Sequence, residues 1–207
     1  MKYSKNNNWY KYAQEYTAEL ASTTKDPKIL AEILRRGNDD GVSRDAAFNP
    51  STPPDALAEV LRRGNDDGVS YYAALNPSTP FDVLAEVLRR GNDGWVSRYA
   101  ALNPSTPPDA LAEVLRRGNN DYVSYNAVEN PSTPPEALAE VLRRGNDDVV
   151  SRCAARNPSS SPFDVYKWYE AIGKITKFDP TKHILDKPIE EPKEDPDLKR
   201  LEELAKE

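Results

Sequence analysis

Sulphur and imidazole are almost missing from this chain: among 207 residues there is one cysteine, Cys153, one histidine, His183, and one methionine, Met1. A lone thiol forms no internal disulfide, so nothing calls for an oxidising compartment. His183 has no cysteine or carboxylate at zinc-ligand spacing and reads as a solvated residue, so no metal site is expected. No apolar run is long enough to span a membrane, and residues 1–12 lack the apolar stretch of a signal peptide. A cytoplasmic location without membrane contact is therefore expected. No nucleophile–base pair, paired-carboxylate motif or phosphate-cradling glycine loop stands out, so neither an enzyme nor a cofactor is expected. Gly64-Asn65-Asp66-Asp67-Gly68 lacks the alternating ligands and distant Glu of a calcium loop, and helix capping explains it better. Phe is scarce as well, at four residues, whereas Tyr reaches 11. With 38% hydrophobic and 30% charged residues, any core must be thin, as in layered repeats whose units cover only their neighbours. The net charge of −6 argues against a general nucleic-acid binder, which carries a basic surplus, without excluding a local basic stripe.

What is present is a repeat. Asn-Pro occurs at Asn49, Asn76, Asn103, Asn130 and Asn157, in steps of 27 residues. Arg-Arg-Gly-Asn begins at Arg35, Arg62, Arg89, Arg116 and Arg143, with the same step of 27. A period held without slippage over five copies marks a stacked array. The last unit gains one residue, reading Asn157-Pro158-Ser159-Ser160-Ser161-Pro162-Phe163-Asp164.

Each unit predicts two helices. Thr52 is the expected N-cap of the first, Pro53 its first residue, and Asp55 the partner in a capping-box-like spacing. Leu57, Val60 and Leu61 share one face, and Gly64 ends the helix in a left-handed conformation. Arg62 and Arg63 are expected to close helix ends and pair with Asp66 or Asp67 across the stack, rather than to track phosphates. In the second segment Val69, Ser70 and Ala73 are constant across the copies, and Ala74 changes only to Val128. Those spacings trace one stripe of a short helix, capped by Asp67 and ended at Asn76-Pro77; a strand would hold alternate residues. One unit has too few large apolar residues to offset the ordering of its own backbone, so units must stack and the ends need caps. Trp9, Tyr12, Ala13, Tyr16 and Leu20 share a face before the array, and Tyr166, Trp168, Tyr169 and Ile172 follow it. The expected organisation is a capping helix in residues 1–21, repeats in 22–157, a capping helix in 158–173, and a Pro-rich charged tail in 174–207 with a terminal helix carrying Leu198, Leu201 and Ala205.

The copies disagree at four positions of the second helix. One set is Gly41, Gly68, Trp95, Tyr122 and Val149. Another is Arg44, Tyr71, Arg98, Tyr125 and Arg152. The others are Asp45, Tyr72, Tyr99, Asn126, Cys153 and Phe48, Leu75, Leu102, Glu129, Arg156. Their i, i+3, i+4, i+7 spacing is a single stripe opposite the constant one. Drift on a solvated face favours Lys, Glu, Ser and Ala, whereas this stripe is rich in Tyr, Trp and Arg, the residues that dominate binding hot spots. Arg44, Tyr71, Tyr72, Trp95, Arg98, Tyr99, Tyr122, Tyr125 and Arg152 are therefore the candidate partner-binding residues. Leu75 and Leu102 are the members most apt to pack into the next unit.

The string Asn-Pro-Ser-Thr-Pro-Pro-Asp-Ala-Leu-Ala-Glu-Val-Leu, followed by an acidic turn and Val-Ser-Arg-Tyr-Ala-Ala, resembles the leucine-rich repeat variant family over residues 22–169. The resemblance implies a superhelix of α helices alternating with short α or 3₁₀ helices, without a sheet. The iron–sulphur cysteine cluster that precedes some such repeats has no counterpart here. The expected fold is thus an all-α, right-handed solenoid. The expected function is a monomeric, non-enzymatic scaffold binding a protein or peptide, such as an extended peptide or an acidic patch. Single-stranded nucleic acid on the same stripe is the alternative.

Overall fold

The computed structural model describes residues 17–175. Expectations for Trp9, Tyr12, Ala13, Tyr16, His183 and the tail helix lie outside the described residues. Within them the chain forms twelve helices and no strand. They are α1 (Ala18–Thr23), α2 (Pro27–Arg35), α3 (Gly41–Phe48), α4 (Pro54–Arg62), α5 (Gly68–Leu75), α6 (Phe81–Arg89), α7 (Trp95–Leu102), α8 (Pro108–Arg116), α9 (Tyr122–Glu129), α10 (Pro135–Arg143), α11 (Val149–Arg156) and α12 (Pro162–Ala171). Each packs on its partner within the unit and on the matching helix of the next, which makes an all-helical solenoid. Among the described residues no helix is long and apolar enough to cross a membrane.

The first helices (α4, α6, α8, α10) bury the same face in every unit: Leu57, Leu84, Leu111 and Leu138 are wholly inaccessible. The second helices turn their constant stripe inward, with Ser70, Ala73 and Ala74 at 1% exposure or less. Small side chains at that contact allow close approach. Neighbouring second helices accordingly pack more extensively than neighbouring first helices, making them the tighter of the two layers. Between the helices of a unit, Gly37, Gly64, Gly91, Gly118 and Gly145 have φ between 68° and 76°, the left-handed conformation that glycine adopts without strain.

Two rows of polar residues, buried at every unit, hold the layers in register. Asn76 Nδ2 donates to the carbonyls of Ala47 (2.8 Å) and Asn49 (2.9 Å) in the preceding unit. Its Oδ1 accepts from the amide of Ser78 at 2.9 Å. Asn103 and Asn130 repeat the full pattern one and two units on. Asn49 opens the ladder on Ala21 and Thr24, and Asn157 closes it on Val128. Asn-Pro does end each second helix as expected; the ladder is the part that the sequence did not reveal.

The second row corrects the capping expectation. Thr52 is not an N-cap: its hydroxyl is buried and donates to the Ala46 carbonyl at 2.5 Å, tying off the end of α3. Thr79, Thr106 and Thr133 do the same for Ala73, Ala100 and Ala127. Pro53 holds the N-cap place of α4 with no side-chain cap bond, Pro54 is the first helical residue, and the amide of Thr52 bonds to Asn49 rather than to Asp55. The N-cap place falls to a proline, which has no side-chain acceptor to offer, and the threonine before it is engaged by the preceding helix. In the last unit Ser160 takes the threonine role on Ala154. α12 nevertheless begins five residues after Asn157, as α4 does after Asn49, so the extra residue lengthens α12 itself, to ten residues against nine in α4.

The arginine pairs do close helix ends, but with other partners than expected. Arg63 donates to the Leu34 carbonyl (3.1 Å) and Arg90 to that of Leu61 (2.9 Å), each capping the first helix of the preceding unit. Arg62 reaches Asp82 and Glu86 of the next unit, not Asp66 or Asp67, both at 3.6 Å. Arg89 likewise reaches Asp109 and Glu113. Asp66 and Asp67 are occupied at helix N-termini. The array ends on α12, where Trp168 is 3% exposed and its indole N–H donates to the Asn146 carbonyl at 2.7 Å.

Candidate binding surface

The second helices are positioned by their caps. Asp40, Asp67, Asp121 and Asp148 each accept the amide of the serine three residues on, at 2.8 Å. Unit three has Gly94 in that place and no side-chain cap of its own. Asp66 of the preceding unit supplies the missing acceptor, taking the amide of Val96 at 3.0 Å. A Cβ on Gly94 would come within 2.6 Å of that carboxylate, so Gly94 is what lets the cap cross between units.

The variable stripe splits into a buried edge and an exposed row. Phe48, Leu75 and Cys153 are buried at 8%, 4% and 5% exposure and belong to the packing rather than to a free face. Leu75 follows the expectation; Leu102 is only half-buried. Burial, with the thiol's hydrogen bond to the Glu129 carboxylate as the next cause, pushes the Cys153 thiol up to about 12. Burial also raises Tyr125 above the usual phenol range.

Between these limits an unbroken chain of rings runs across four units. Phe48 meets Tyr72 edge-on at 5.5 Å between centroids. Tyr72 lies 4.1 Å from Tyr71, and Tyr71 stacks on Tyr99 of the next unit at 5.0 Å. Tyr99 stacks on Trp95 at 6.3 Å. Arg98 then bridges units three and four, its guanidinium 5.0 Å from the Trp95 ring and 4.4 Å from the Tyr122 ring. Trp95 and Tyr122 remain 58% and 64% exposed, and Val149 continues their row at 51%. Tyr122, Tyr125, Val149 and Val150 line a shallow cleft of about 340 Å³. Six of the nine residues picked from the sequence, Tyr71, Tyr72, Trp95, Arg98, Tyr99 and Tyr122, are thus brought into one array, with Tyr125 beside it.

Arg44 and Arg152 are held by aspartates rather than between rings, although Arg44 is near enough to Tyr71 and Tyr72 to feel both electrostatically. Arg44 lies over Gly68 and makes two 2.9 Å bonds to Asp39. Arg152 bonds Asp147 at 2.8 Å, and Arg98 bonds Asp93 through both oxygens at 3.1 and 3.2 Å. The Arg44 and Arg152 guanidiniums hold the Asp39 and Asp147 carboxyls below the usual range, chiefly by hydrogen bonding, and are themselves raised by it. Sequence reasoning missed these acids, although the signal was there. An aspartate stands five residues before each arginine of the set, and where Tyr125 replaces arginine the residue is Asn120. Asp66 persists before Tyr71 because it caps α7.

Among the described residues no cluster of three or more His, Cys, Asp or Glu could hold a metal ion. The chain matches no protein-family model, and neither the curated proteins nor the solved structures gave a match.

Proposed function

We propose that this protein is a non-enzymatic scaffold that binds an extended peptide segment of a protein partner along its second helices. The observation that carries the reading is the continuous ring-and-guanidinium chain from Tyr72 to Tyr122 with Trp95 and Tyr122 more than half exposed. Trp95 and Tyr122 stand more than half exposed on rings that are themselves packed on the core, and large exposed aromatics of this kind concentrate binding energy when a partner covers them. The tighter layer of a stacked array also presents one continuous track, the surface that repeat proteins use for extended partners. Kinship with the leucine-rich repeat variant family belongs to the same proposal and rests on the repeated Asn-Pro-Ser-Thr-Pro motif.

Single-stranded nucleic acid stays as the second reading, because stacked rings accept bases. Against it, Arg44, Arg98 and Arg152 are each bonded to an aspartate five residues earlier, which leaves Arg156 as the one stripe arginine outside that pattern. Selection of random peptides on the full chain, without counter-selection, tests the proposal. Recovered peptides should lose at least about tenfold in affinity on the Trp95→Ala and Tyr122→Ala variants. Peptides that bind all three proteins equally would place the function elsewhere.

A further inference from the structure

The spacing of the units restricts which extended backbone can lie along this track. Packed helices sit about 8–10 Å apart, and the second helices succeed one another in direct contact. A β-strand repeats its side-chain direction every two residues, about 6.6–6.8 Å, and drifts out of step with such units. A polyproline II segment turns once in three residues at about 3.1 Å each, so its repeat of about 9 Å stays in step. Aromatic-lined grooves are also the surfaces on which proline-rich segments dock.

Charge narrows the partner further. The stripe arginines are matched one for one by Asp39, Asp93 and Asp147. What remains on the variable stripe is Asp45 and Glu129 against Arg156, so the face is net acidic by one charge. An acidic partner would meet like charge there, and a neutral or basic one would not.

We propose that the bound segment is a proline-rich polyproline II stretch of neutral-to-basic character, one three-residue turn per unit, with prolines against Trp95 and Tyr122. This rests on the peptide-scaffold reading, and names its substrate class.

The test is fluorescence anisotropy of the full chain with four labelled probes: repeated Pro-Pro-Lys, repeated Pro-Pro-Glu, strand-forming repeated Val-Lys, and oligo(dT). The Pro-Pro-Lys probe is expected to bind at least about tenfold tighter than either other peptide at low salt. Both Trp95→Ala and Tyr122→Ala, checked for fold by circular dichroism, are expected to weaken it at least about tenfold. Equal binding of Val-Lys overturns the three-residue register, and equal binding of Pro-Pro-Glu overturns the basic partner; in both cases the peptide scaffold stands. Binding indifferent to both variants overturns the site. If no peptide binds, the triplet assignment is wrong. If oligo(dT) alone binds, with a steep salt dependence, the peptide scaffold reading falls with it.

Discussion

Removing one rung of the asparagine ladder should damage this protein more than removing its largest exposed side chain. Asn103 is 1% exposed. Its amide donates to Ala74 and Asn76 at 2.7 and 3.0 Å, and its oxygen accepts from Ser105 at 2.8 Å. Asn103→Ala takes their partner from the Ala74 carbonyl and the Ser105 amide, while the Asn76 carbonyl keeps the Thr79 amide at 3.0 Å. A group left unsatisfied in the interior costs about 1–3 kcal/mol. Partial rescue by a neighbouring bond or a water lowers the sum over these two groups, so the expected loss is about 2–4 kcal/mol, a large share of a typical domain's stability. Trp95→Ala removes a more than half-exposed ring and should shift stability by about 0.5 kcal/mol. Tyr99→Ala should fall between, because Tyr99 is half-buried between Tyr71 and Trp95. Urea denaturation followed by far-ultraviolet circular dichroism gives the three midpoints. The reasoning is refuted if Asn103→Ala loses less than about 1 kcal/mol, or if Trp95→Ala loses as much as Asn103→Ala.

Three other outcomes are expected. Gly94→Ala should lower the melting temperature, by about 0.5–2 kcal/mol in stability, because its Cβ would displace the Asp66 cap of α7; Gly41→Ala, with nothing within 4 Å of its Cβ, should be neutral or stabilising. Deleting residues 76–102 should leave a folded, shorter chain, because Asn103 would then meet Ala47 and Asn49 as Asn76 does now; aggregation of this deletion equal to that of a half-unit deletion would show that the ladder is not modular. With its thiol pushed up to about 12 by burial, Cys153 should react slowly with a disulfide reagent at pH 8 in the native protein and fast in denaturant, and immediate native reaction would contradict its burial.

The sequence determined the architecture because the period of 27 residues averages away local ambiguity. A single Val-Ser-Tyr-Tyr-Ala-Ala segment reads as strand or helix, but five copies that hold positions i, i+1, i+4 and i+5 admit only the helix. Gly64 and Asp67 were legible because a left-handed turn and an N-cap need only local geometry. The composition of the variable stripe likewise marked Trp95 and Tyr122 before any fold was known.

What tertiary structure decided are the bonds that join one unit to the next. Asn76 reads locally as a helix terminator and Thr52 as a cap, and both roles are chemically sound in isolation. Only stacking brings the carbonyls of Ala47 and Asn49 within reach of Asn76. The Thr52 bond to Ala46 is different in kind: it spans only six residues and needs the turn between two helices rather than the stacking of units. Stacking does decide the role of Asp66, which caps a helix beginning 29 residues later, and of Arg98, whose position between Trp95 and Tyr122 depends on how α7 lies beside α9. A repeat states which positions are constrained, since every copy carries the same residue. It does not state what the residue touches, because the partner lies about one period away, and that distance closes only when the units pack.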